Sequence, residues 1–240
     1  VPQIWWSYVP FHLGSTFEGE QPSTINDFFD IEKFPGKRGV HTWGNGIVEM
    51  ALYASGVAIP DIYDVLDTQE GQDMVFAKLD TIKDHVVFWS SGAKPLDLIN
   101  SGEVSMSLAY NGRIGGAVLA DGADYVTVWD GQVLEEEWLV LMNGAPNRAA
   151  AIHFLIHASS TQAQADQAHW INYAPMRPSA LPIMAANEPW FNPGLATEAN
   201  IMEHMPTTDE HMKGGILANP DWWADNGQAV NDRYAAWMAN

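Results

Sequence analysis

The chain contains no cysteine, so neither a disulfide nor a thiolate metal site is open to it. A cysteine-free composition fits an exported bacterial protein. Basic residues are scarce too: eleven Lys and Arg stand against thirty Asp and Glu, a formal charge of −19. Nucleic acid and anionic membranes both need a basic face, so the charge disfavours both as partners. No apolar run approaches the roughly 20 residues of a membrane span. No secretory signal pattern opens the chain. Catalytic signatures are missing as well, with no GxSxG, P-loop or HExxH. What is present is 240 residues, 47% apolar, enough to bury a large core as one or two domains. Val1-Pro2-Gln3-Ile4-Trp5-Trp6 already reads as the inside of a strand, so the chain is expected to be a fragment of a longer protein.

Strand and helix patterns alternate through the first two-thirds, which predicts an α/β fold with a largely parallel sheet. Strands are expected at Val1–Tyr8, Val40–Thr42, Val86–Trp89, Val104–Ala109, Tyr125–Val128 and Leu134–Met142. Helices are expected at Thr24–Asp30, Ile47–Ser55, Asp61–Leu66, Gly71–Lys83, Pro95–Asn100, Asn147–Ser159, Thr161–Trp170 and Ser179–Ala186. A last helix runs from Asp221, a natural N-cap, to Trp237. Pro189–Asp209 reads as a long irregular connection.

The stretch GEVSMSLAYNGRIGG (Gly102–Gly116) organises the rest. It reads as a strand running straight into a helix, with Tyr110, Asn111 and Arg113 at the junction. In open α/β sheets ligands bind at that edge. Trp43 and Asn45 sit at a second strand end, and Ser90 and Ser91 at a third. The Gly44–Gly46 GxG is a tight turn rather than a phosphate loop, because the third glycine of the dinucleotide fingerprint is missing. In LEEEWLVLM, strand alternation sends Glu135 and Glu137 to one face and Glu136 and Trp138 to the other. His153 and His157 are four apart on a helix, but no further ligand accompanies them, and helix packing or solvent accounts for them better than metal. His204 and His211 also lack supporting ligands. No metal, cofactor or catalytic residue is assigned.

These segments, taken together, resemble the periplasmic substrate-binding proteins of ABC transporters, in particular the spermidine/putrescine-binding branch of extracellular solute-binding proteins. The resemblance is carried by FFDIEKFPGKRGV (28–40), GEVSMSLAYNGRIGG, INYAPMRPSAL (171–181) and DWWADNGQAVNDRYAAWMA (221–239). It implies a periplasmic type II-like binding fold: one nearly complete lobe with a mainly parallel sheet, plus part of the second. Residues 1–132 and 182–240 would form the carboxy-terminal lobe, and 133–181 would belong to the other, the signal peptide and most of the amino-terminal lobe being absent. Exposed apolar surface should follow, which a homodimer or domain swap could cover. The expected partners are a small amine-bearing solute, held without chemistry in the cleft between lobes, and an inner-membrane permease.

The resemblance also carries cleft residues onto this chain. An aromatic falls on Tyr110, an amine-gripping acid on Glu137, a second ring on Tyr173, a hydroxyl contact on Ser90 or Ser91, and a polar position near Trp223. A polyamine needs carboxylates at intervals and rings against its methylenes. The departures count against that ligand. Two family acids fall on Trp43 and Gly46, and a third on Arg113, where a guanidinium would face an ammonium. Arg113 opposite Glu135 or Glu137 suits a solute with both an amine and a carboxylate, such as γ-aminobutyrate; alternatively Arg113 pairs internally with a glutamate. Two other classes remain on the sequence. A carboxylate-based hydrolase would draw on Glu135, Glu136, Glu137 and Asp130, but three of these lie on one strand and cannot flank a bond from both sides. A protein-interaction module would draw on the eleven tryptophans.

Overall fold

A computed structural model describes residues 1–186, Trp190 and 201–239. Strand β1 (Pro2–Leu13) is followed by α1 (Ile25–Phe29), β2 (Arg38–His41), α2 (Ile47–Ala54), α3 (Ile62–Leu66), α4 (Gln69–Asp80), β3 (Val86–Trp89) and α5 (Lys94–Asn100). Then come β4 (Met106–Tyr110), α6 (Asn111–Asp121), β5 (Tyr125–Thr127), β6 (Val133–Trp138), α7 (Arg148–Ala158) and α8 (Thr161–Ala168). The chain closes with β7 (Ala174–Pro175), α9 (Leu181–Ala186), β8 (Ile216–Leu217) and α10 (Pro220–Ala239).

The strands form one eight-stranded sheet in the order β3-β2-β4-β1-β6-β8, with β5 and β7 also paired to β1. Strand β1 is antiparallel to β4, β5, β6 and β7, while β2 is parallel to β3 and β4, and β6 to β8. Among the described residues, seven strands therefore run one way and β1 runs the other. This is the mixed α/β, mainly parallel arrangement expected, with one reversed strand at its centre. The larger core lies between this sheet and α1–α5 and α10, with Phe11, Phe28, Ile47, Leu52, Leu79 and Leu108 fully buried. A smaller core gathers Leu119, Ala165, Ala168, Met184, Ile201 and Met205.

The departures from the expected elements have local causes. Strand β1 continues past Pro10 because the Pro10 carbonyl still accepts from the Val128 N–H, so the missing donor breaks nothing. Strand β6 ends at Trp138 rather than Met142: Pro2 pairs with Trp138, and the Leu139 N–H donates to Val1 O. Helix α10 starts one residue early, at Pro220, which places Asp221 inside the first turn rather than at the cap. In the connection 189–209, residues Ile201–His204 form a single 3-10 turn, and most of the remainder of 187–200 lies outside the described residues.

Arg38 is fully buried on β2. Its guanidinium donates to the carbonyls of Phe28 (2.7 Å), Gly36 (2.9 Å), Phe34 (2.6 Å) and Asp30 (3.3 Å), which ties the loop after α1 to the sheet. Burial lowers its pKa to about 10, opposed by Asp30. Replacing Arg38 by Met keeps most of the volume and strands those carbonyls. It should lower stability by roughly 2–4 kcal/mol, read from urea unfolding. An unchanged midpoint would contradict this account.

Candidate functional site

The reversed strand brings the site together. In the β1–β4 register Tyr8 faces Tyr110, and in the β1–β6 register Trp6 faces Glu135 and Ile4 faces Glu137. Directly opposed residues share a sheet face, and alternate residues along a strand share it too. Trp6, Tyr8, Tyr110, Glu135 and Glu137 therefore stand on one face. A cavity of about 390 Å³ opens over them, completed by His41, Trp43 and Asn45 after β2, Arg113 on α6 and Tyr173 before β7.

The walls are largely aromatic. Trp6 meets the Tyr110 ring edge-on at 5.2 Å, and Tyr8 lies 5.9 Å from Tyr110. His41 sits between Trp43 (4.6 Å) and Trp89 (4.5 Å). Its Nδ1 accepts from the Trp43 N–H, so the neutral ring carries its proton on Nε2, and burial favours that neutral form. Trp43 is 61% exposed at the rim.

Three charges face this space: the Glu135 and Glu137 carboxylates and the Arg113 guanidinium. Among the described residues none of the three is in an ion pair. The expected alternative of an internal Arg113–glutamate pair is thus not formed. Burial, reinforced by Glu49, raises the Glu135 carboxyl to about 7. Burial raises Tyr173 too, and Arg113 opposes that rise while Glu137 adds to it. Burial likewise raises Tyr110, with Glu135 and Arg113 acting in opposite senses. These couplings put the acids, the guanidinium and the two phenols in one electrostatic neighbourhood.

The loop after β2 is braced from behind. Gly44 N–H donates to Asn231 Oδ1 (2.9 Å), and the Tyr234 hydroxyl donates to His41 O (3.0 Å), both from α10. Fully buried Glu49 accepts from Gly46 N–H (2.9 Å), Tyr63 OH (2.9 Å) and Trp223 Nε1–H (2.7 Å). Gly46 has φ +84°, and a Cβ there would stand 2.6 Å from Tyr8 Cδ1, so glycine is required both for the turn and for the cavity wall.

Residues 6–197 match the model of the family described as bacterial extracellular solute-binding protein. The chain belongs to that family. It is 33% identical, over 98% of its length, to the gamma-aminobutyric acid-binding protein of Pseudomonas aeruginosa, and it spans 62% of that protein. Among solved structures it is similar to the PBP MotA from A. tumefaciens B6 in complex with glucopine: 29% identity, TM-score 0.83, covering 99% of this chain and 70% of that one. It is also similar to a GABA receptor, at 31% identity and TM-score 0.80, covering 99% of this chain and 68% of that one. The Streptococcus pneumoniae spermidine/putrescine substrate-binding protein, at 10% identity and TM-score 0.67, shares the fold. The family is one of binding proteins, not enzymes. No described helix is long and apolar enough to cross a membrane.

Of the residues singled out in the sequence, Tyr110, Arg113, Glu135, Glu137, Tyr173 and Trp43 all line the cavity. The other four lie elsewhere. Asn111 is 1% exposed and both ends of its amide are taken: Oδ1 by Ser7 N–H (2.8 Å), and Nδ2 by Asn172 O (3.4 Å). Ser90 and Ser91 are exposed in the turn after β3, outside the cavity lining. Trp223 spends its indole N–H on Glu49, behind the wall. Sequence reasoning missed Trp6, Tyr8 and His41 as lining residues and read them only as parts of strands. The period-2 spacing of Trp6 and Tyr8 was the available signal. His153 and His157 are exposed, and the described residues hold no cluster suited to a metal ion.

The folded protein holds the Glu135 proton more tightly than the unfolded chain, whose carboxyl titrates near the ordinary 4.5. The native state thus binds more protons between about 4.5 and about 7, and stability falls as pH rises through that window. Glu135→Gln should therefore gain stability over the parent at pH 8 and gain little at pH 4.5, by urea unfolding. Equal differences at both pH values would overturn the assignment.

Proposed function

We propose that this chain is the ligand-holding part of the solute-binding component of an ABC importer. It acts in the periplasm, hands its solute to an inner-membrane permease, and does no chemistry. The solute is a zwitterion of amino-acid type, such as γ-aminobutyrate. The observation that carries this reading is one guanidinium and two carboxylates around a single aromatic cavity, none of them in an ion pair among the described residues. A zwitterion satisfies both signs: its ammonium sits between Glu135, Glu137 and the rings, and its carboxylate meets Arg113. A polyamine leaves Arg113 facing like charge, which is costly where water is excluded. The relatives named for gamma-aminobutyric acid and glucopine support the same choice. The excess of two acids over one base favours a second reading, a diamine.

Isothermal titration with γ-aminobutyrate, putrescine and spermidine separates the two. Binding of γ-aminobutyrate alone, weakened roughly ten- to a hundredfold in Arg113→Ala, is expected. Tight diamine binding that survives or improves in Arg113→Ala would replace the first reading by the second.

The lobe assignment, 1–132 with 182–240 against 133–181, belongs to the same proposal, with the cavity closing as the lobes approach. Helix α7 supports it: its own residues are largely apolar, yet Phe154 is 58% and Ile156 65% exposed, and Val140 and Met142 before it are 71% and 69% exposed. Such a helix needs a cover. For the chain by itself, a second copy provides one, as a homodimer or domain swap. Light scattering on the eluting peak should give a mass above 26.5 kDa. A clean monomer would end the dimer proposal.

A further inference from the structure

Two glycines of the α6 segment GRIGG cannot be replaced without moving something. Gly112 and Gly115 are one turn apart, on the same side of α6. A Cβ on Gly112 would stand 2.5 Å from Tyr173 Cζ and 2.9 Å from Asn172 O. One on Gly115 would overlap Asn172 Nδ2 and stand 3.0 Å from its Cγ. The two glycines form a flat seat on which Asn172 and Tyr173 lie, sixty residues further along the chain. Asn111, at the start of the same helix, ties that loop to β1 by donating to Asn172 O and accepting from Ser7 N–H.

We propose that Gly112 is a positioning residue for ligand recognition: by carrying no side chain it lets the Tyr173 ring pack on the helix, and so sets where that ring closes the cavity. Gly115 leaves room in the same way for the side chain of the neighbouring Asn172, whose backbone carbonyl accepts from Asn111. This rests on the reading that the cavity is the solute site. The backbone at Gly112 is ordinary helix, with φ outside the left-handed region. Alanine is the better helix former there. A methyl at this position therefore acts against the ring and the Asn172 carbonyl and not against the helix, and this distinguishes Gly112 from a glycine kept for its φ.

The test is a double-mutant cycle. Gly112→Ala, Tyr173→Ala and the double variant are titrated with γ-aminobutyrate beside the parent, and thermal midpoints are recorded for all four. Gly112→Ala should weaken binding at least about tenfold while the protein stays folded. In the Tyr173→Ala background the same substitution should cost clearly less, about threefold at most, because the ring is gone and only the Asn172 carbonyl still faces the methyl. An equal loss in both backgrounds, or no loss in either, overturns the proposal. A parent that binds no γ-aminobutyrate overturns the solute assignment instead, and the positioning role is then decided by a crystal structure of Gly112→Ala. A displaced Tyr173 ring supports the role, and a ring in the parent position ends it.

Discussion

Strand β1 is the constraint on which the rest depends. Among the described residues it is the one strand of the sheet that runs against the others, and it pairs with β4, β5, β6 and β7. Because it is reversed, its first half extends past the carboxyl end of β4, where α/β sheets hold ligands. Trp6 and Tyr8 therefore stand at the ligand edge on one face, while Trp5 turns to the other and packs against the smaller core. The β6 glutamates take their places from the same pairing. A slip of one residue would send Glu135 and Glu137 to the opposite face and bring Glu136 to the cavity. In the register observed, Glu136 faces away from the cavity and accepts from Trp138 Nε1–H (2.8 Å).

The charges around the cavity are arranged without internal compensation. Glu135 is desolvated, Glu49 lies fully buried behind the wall, and Arg113 has no acidic partner among the described residues. Glu49 is tolerated because three donors and the start of α2 surround it. Glu135 has no comparable set and holds its proton toward neutrality. Among the described residues no cation is paired with it. The net charge of −19 acts at longer range, since it draws cationic groups toward the surface.

Much of the site was legible before the fold was known. The strand-to-helix junction at Tyr110 and the alternation of Glu135 with Glu137 are local patterns, and both lead to side chains that line the cavity. Asn111 and Trp223 were equally well placed by local pattern and are not on it. Their hydrogen-bonding groups are used by Ser7, Asn172 and Glu49, partners 61 to 174 residues away. Trp6, Tyr8 and His41 failed in the opposite direction. A buried strand aromatic and a cavity-wall aromatic have the same sequence signature, and only the neighbouring elements show whether the ring meets packed side chains or open space.

The sequence by itself determined what depends on near neighbours and on bulk composition: the alternation of strands and helices, the face each strand residue takes, the acidic surface, and the absence of thiol, basic-patch and membrane-span chemistry. Tertiary structure decided the direction of β1, the end of β6 at Trp138, and the seating of Tyr173 on Gly112. Each of these is a contact between segments far apart in the chain. Side-chain periodicity carries no information about which distant segment will arrive, so only the packed fold could specify them.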